Sequence, residues 1–307
     1  MFDDEKPPLP YNAEPEPHPP QGNGSSGLQT DSDASVHGAA RESMQQISSL
    51  RFSRFPEDLR GPWGWTDLFL LIALVILGTI LVSLLLGIIF AAFGIRVAQI
   101  QHVPEVKGVF VVASQAILSL GLLGYLAAQM RLRFGQPFWR TIGWRRLDTG
   151  EFPRWGAYLG LVVGGMSLSM LVALAASAFG SKTKLPIQTL FQNRLSAILV
   201  MAMAVLVAPV FEETIFRGYM YPVLARSWGV AASVIVTGTI FGLLHAAQLW
   251  GGWGQIALLV VVGIIFTYVR AVTRTVLASY LLHVSYNSFL FIAYAVSTHG
   301  FRHLPLH

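Results

Sequence analysis

The chain has 307 residues, 53% of them hydrophobic and only 12% charged, with a mean hydropathy of +0.55 and a formal net charge of +5. A soluble domain carries about 25% charged residues, so this composition excludes an ordinary soluble globule. The arginines lie between apolar runs, as in the cytoplasmic loops of membrane proteins, which removes nucleic acid as the reason for the positive charge. The absence of cysteine excludes disulfides, a thiol nucleophile and thiolate metal sites.

Residues 1–60 read as a disordered tail. Seven prolines fall in the first twenty residues, followed by GNGSSG and DSDAS, and such a segment buries too little apolar surface to offset its ordering entropy. It lacks the basic start and apolar core of a signal peptide. The stretch MQQISSLRFSRF just before the first apolar run has the character of a short interfacial helix. Seven transmembrane spans are then expected, near 66–94, 108–130, 155–179, 195–226, 229–249, 255–272 and 275–297. Each is long enough to cross a bilayer as a helix, and lipid offers no partner for free backbone N–H and C=O groups. The expected fold is therefore an all-α, polytopic transmembrane helix bundle. It divides into the tail, a first group of spans at 61–180 and a core at 181–307. Gly160, Gly164 and Gly165 suggest a helix-packing surface.

Orientation follows from the connections. The segment 131–154 carries Arg131, Arg133, Arg140, Arg145, Arg146 and Arg154 against Asp148 and Glu151, which places it, and the N-terminus with it, on the cytoplasmic side. Lys182, Lys184 and Arg194 fall on the opposite side and argue the other way.

Ionisable residues inside spans are costly, and a functional role is their default explanation. After Glu151 the only carboxylates are Glu212 and Glu213. With Arg217, His245, His283 and Asn287 they make up nearly all the strongly polar content of the last four spans. Glu213 and Arg217 are four apart on one helix face, where they can pair. Glu212 is turned by about 100° from its neighbour and can face elsewhere unpaired. His283 with Asn287, and Phe241 with His245, repeat the four-residue spacing. Counted from the cytoplasmic helix ends at about 1.5 Å per residue, Glu212, His245, His283 and Asn287 lie at depths of about 21, 24, 12 and 18 Å, so one pocket can hold them all. Pro222 threatens this arrangement, since proline kinks or ends a helix.

A carboxylate and an imidazole can hold and deprotonate a water that attacks a carbonyl. A second imidazole and an amide can donate to the oxyanion that forms. The same residues also allow a metal site, with Glu212, His245 and His283 as ligands of a zinc ion. The marks of other intramembrane chemistries are missing. There is no His-Glu-x-x-His motif, no glycine-flanked serine nucleophile and no aspartate pair, since Asp67 sits at a helix edge.

Three motifs follow in order: Glu212-Glu213-Thr214-Ile215-Phe216-Arg217, Phe241-Gly242-Leu243-Leu244-His245 and His283-Val284-Ser285-Tyr286-Asn287. Together they resemble the signature of the CPBP intramembrane proteases, which include CAAX prenyl proteases and bacteriocin-processing or immunity proteins. The resemblance covers roughly residues 195–297. It implies an intramembrane endopeptidase with Glu212 as general base and His245 orienting the water. His283 and Asn287 would then form the oxyanion hole, with Glu213, Arg217 and Phe241 shaping the site. No cofactor is required on this reading, and a divalent metal such as zinc is the alternative. The implied partners are a membrane-associated protein or peptide substrate and the lipid bilayer, with no nucleic acid. The implied location is the plasma membrane of a bacterium, with the N-terminus cytoplasmic. Two further readings stand beside it: a non-catalytic membrane immunity or scaffold protein, and a proton-coupled transporter with Glu212 as proton carrier.

Overall fold

The computed structural model describes residues 55–178, 185–302 and 304, and every regular element among them is helical. The expectations for 1–54, and the loop lysines Lys182 and Lys184, lie outside the described residues. The principal helices are α1 (Trp65–Ala92), α2 (Pro104–Arg133), α3 (Arg154–Ala178), α4 (Arg194–Trp228), α5 (Val230–Leu244), α6 (Trp253–Thr273) and α7 (Val276–Ser297). Their flanks hold the expected cap chemistry. Asp67 Oδ2 accepts from Gly64 N at the start of α1 (2.9 Å), Asn193 Oδ1 from Ser196 N at α4 (2.8 Å) and Thr275 Oγ1 from Leu277 N at α7 (3.1 Å). Along α1, Ile76, Ile80, Leu84 and Ile88 are all more than half exposed. A helix apolar on every side and exposed along its length is built to face lipid.

Six of these helices are long and apolar enough to span a membrane, not seven. The expected span 229–249 is helical only over Val230–Leu244, about 22 Å at the α-helical rise. His245 ends it. In a continuing helix the His245 N–H would pair with Phe241 O. Here His245 Nδ1 bonds that carbonyl at 2.8 Å, and the His245 N–H moves to Gly242 O. The chain then turns through 245–252. At its other end α5 starts from Gly229, whose φ of 80° is open to glycine and strained for other residues.

Pro222 does not end α4. The helix widens to π geometry over Thr214–Met220, so the Tyr221 N–H reaches back to Phe216 O, and continues to Trp228. A second widened stretch, Met203–Val207, precedes Pro209 in the same way. In both places the extra residue per turn makes room for a ring that carries no N–H.

Two close helix contacts frame the core. α5 meets α6 where Gly238 and Gly263 lie against each other's backbone and Gly242 lies on Val260. α3 meets α7 where Gly165 abuts Leu282 and Ser285 and Gly164 touches Leu282. Gly160 faces open space, so the expected packing surface on α3 excludes it.

Residues 55–60, grouped with the tail on sequence, are docked against the bundle. Asp58 pairs with the fully buried Arg270 at 2.9 Å, and Arg226 donates to Leu59 O and Trp63 O. The Trp63 indole stacks on Tyr219 and donates to Tyr219 O at 2.8 Å. Asp67 is buried as well: it pairs with Arg133 and accepts from Gln129, whose Oε1 accepts from Tyr219 OH.

Candidate active site

Glu212 and Glu213 leave α4 in different directions, as the helical pitch requires. Glu213 is fully buried. Its Oε1 accepts from Arg217 Nη1 at 3.0 Å, one turn on, and from His283 Nδ1 at 2.9 Å. Arg217, also fully buried, donates through Nε to Thr267 Oγ1 (3.1 Å) and through Nη2 to Gly263 O (2.8 Å), with its guanidinium 4.5 Å from the Phe241 ring centre. One ion pair thereby joins α4, α6 and α7 and meets α5 through an aromatic face. Removing one member of such a pair leaves a buried charge uncompensated, at a cost of roughly 3–5 kcal/mol.

Glu212 points the other way, into a cavity of about 440 Å³ that it shares with Phe241, His245, Gln248, His283 and Asn287. Its side chain is 18% exposed, and Oε2 lies 3.7 Å from His283 Nε2. That gap is too long for a direct hydrogen bond and short enough for a group bridging both. His283 is thus the hinge of the site, with Nδ1 fixed by the buried Glu213 and Nε2 facing Glu212. Phe266 lies along its ring at 4.7 Å between centroids and Phe241 meets it edge-on at 5.8 Å, fixing the imidazole plane.

Because a carbonyl oxygen only accepts, the His245 bond to Phe241 O places the proton on Nδ1 and leaves Nε2 as an acceptor in the neutral ring. Asn287 donates one amide hydrogen to Ala204 O at 2.8 Å, which leaves its second hydrogen and Oδ1 for the cavity. Ala204 sits in the first widened stretch of α4, so that irregularity presents a free carbonyl to hold Asn287.

All the residues singled out on sequence come together here. Glu212, Phe241, His245, His283 and Asn287 line the cavity, and Glu213 with Arg217 lies directly behind it. Among the described residues no three His, Cys, Asp or Glu side chains form a group that could hold a metal ion. The Glu213 bond to His283 Nδ1 leaves Nε2 facing the cavity, an arrangement that metal-bound histidines share. Sequence reasoning missed Thr267 and Gly263, which stand outside any motif. It also missed the cavity glutamines Gln115 and Gln255. Gln115 interrupts an otherwise apolar stretch of α2, a signal that was available.

Comparison with known proteins agrees with the motifs. Residues 194–289 match the model of a family described as type II CAAX prenyl endopeptidase Rce1-like, a protease family. The matched segment runs from the start of α4 into α7 and contains every residue of the cluster. No curated protein and no solved structure matches the chain.

Proposed function

We propose that the segment matched to the CAAX endopeptidase family is catalytically competent, and that this integral membrane protein hydrolyses peptide bonds with a water activated by Glu212. The observation that carries this reading is the division of labour between adjacent glutamates. Glu213 is fully buried and bound through Oε1 to Arg217 and His283, whereas Glu212 meets the cavity across a 3.7 Å gap from His283. A water held on Glu212 in the cavity donates one hydrogen to it and the other to His245 Nε2, which aims an oxygen lone pair at a substrate carbonyl.

As the C–O bond forms, Glu212 takes the water proton and the carbonyl oxygen becomes an oxyanion. Asn287 Nδ2 donates to it, and His283 Nε2 joins when both of its ring nitrogens carry protons. Collapse of the tetrahedral intermediate breaks the C–N bond, and Glu212 returns the proton to the leaving amine. No metal is needed for any of these transfers. Arg217, Thr267 and Phe241 act on His283 and Glu213 and do not touch the reacting atoms.

Mass analysis of membrane-inserted apolar peptides incubated with the protein in liposomes tests the reaction. Two fragments summing to the peptide plus one water, formed equally in the presence of a chelator, are expected. An unaltered peptide at every length would place the protein with scaffolds or transporters. Cleavage abolished by the chelator and restored by zinc would replace the water activated by Glu212 with a metal-bound one.

A further inference from the structure

The chain forms a bundle with two distinct ends. At one end Val276 N donates to Gly143 O (2.9 Å), Asp58 pairs with Arg270, and Arg145 pairs with Glu57. At the other, Ile187 N donates to Gln248 O (3.0 Å), Ser196 Oγ to Pro104 O (2.8 Å) and Lys107 to Thr189 (2.9 Å). The first end carries the 131–154 connection with its run of arginines, which the charge rule places in the cytoplasm.

Apart from Glu212, Phe266, His283 and Tyr286, which floor the cavity at or just past the helix midpoints, its helical lining comes from the halves nearer the second end. Gln115 comes from the first half of α2, Ala176 from the last turn of α3, Val200 from the start of α4, Gln255 from the first turn of α6 and Phe291 from the later part of α7. The turn between α5 and α6 lines it through Gln248, which is exposed. Toward the arginine-rich end the interior is filled: Arg217 and Tyr219 are fully buried, and Phe216 and Trp63 pack into the main apolar core. At about 22 Å, α5 is about 8 Å shorter than a bilayer's hydrocarbon core, and the turn that follows it carries His245 and Gln248 to the cavity.

We propose that the cavity opens to the non-cytoplasmic face of the membrane, and that its substrate is a peptide segment presented from that face. The second clause rests on the peptidase reading; the first rests only on the placement of the cavity and the charges. A site so placed is closed to chains that end in the cytoplasm and open to the exported portions of membrane-anchored or translocated proteins.

The chain has no cysteine, so single substitutions report accessibility without background. Gln255→Cys at the mouth and Asp148→Cys in the arginine-rich connection are compared in intact cells using a membrane-impermeant sulfonated maleimide, before and after permeabilisation. The expected result is full labelling of Gln255→Cys in intact cells and labelling of Asp148→Cys only after permeabilisation. The reverse pattern overturns the proposal. So does a Gln255→Cys that stays unlabelled after permeabilisation, which would mean a closed mouth. Repeating the labelling in a Glu212→Gln background separates this question from catalysis, because sidedness does not depend on turnover.

Discussion

At the scale of single residues, two neighbouring glutamates of identical chemistry stand in opposite surroundings, and substitution should separate them. Glu213→Gln removes the counter-charge of a fully buried arginine, so a stability loss of roughly 3–5 kcal/mol is expected, read as a lower midpoint in denaturant titration of the detergent-solubilised protein. Asn287→Ala removes the proposed oxyanion donor and should lower turnover by about 10²–10³-fold. The loss of its bond to Ala204 O should lower stability by only about 1 kcal/mol. A drop in turnover that merely tracks lost folded protein would make Asn287 a packing residue. The placement of these residues was legible because membrane interiors tolerate so few ionisable groups: four-residue spacing paired Glu213 with Arg217, and the pitch turned Glu212 to the cavity. The part played by Thr267 was not legible, because a threonine in an apolar helix ordinarily bonds its own helix, as Thr267 also does at Gly263 O.

At the scale of elements, the sequence marked where helices run, and it misjudged one end, that of the span 229–249. Pro222 threatened the expected span 195–226, yet α4 continues because widening by one residue per turn releases the ring from the preceding carbonyl. His245 reads as a residue in mid-helix, yet its own imidazole captures the carbonyl the helix needed. Both outcomes depend on tertiary surroundings that a periodicity cannot encode. The α5–α6 contact depends on glycine for a simpler reason. Gly238→Leu would drive a side chain into the backbone at Gly263 and Ile264, and the helices would have to separate. Overpacking of this kind costs about 1–3 kcal/mol. Because Gly263 O holds Arg217, activity should fall together with thermal stability, whereas Gly160→Leu, on the open face of α3, should leave both near wild-type values.

At the scale of the whole molecule, one end of the bundle is tied shut by charge pairs and the other holds the cavity. Asp58 is nearly buried against Arg270, while Glu57, two-thirds exposed, meets Arg145 at the surface. Asp58→Ala should therefore destabilise the protein by roughly 3–5 kcal/mol, and Glu57→Ala by no more than about 1 kcal/mol, as measured by the same denaturant titration. Equal effects would show that the docked segment is held by its apolar contacts at Leu59 and Trp63 and not by charge. The helical architecture was legible from hydropathy and the cluster from its motifs, but the asymmetry of the two ends was not, because it arises from which halves of six helices line one cavity.

The most direct test of the central claim is the peptide-cleavage rate of Glu212→Gln in liposomes, measured on protein whose thermal transition matches wild type. The amide preserves shape and one acceptor oxygen but cannot take the proton from water, so a folded protein with cleavage reduced by at least about 10²-fold is the expected result. A folded Glu212→Gln variant cleaving at the wild-type rate would contradict the assignment of Glu212 as the base.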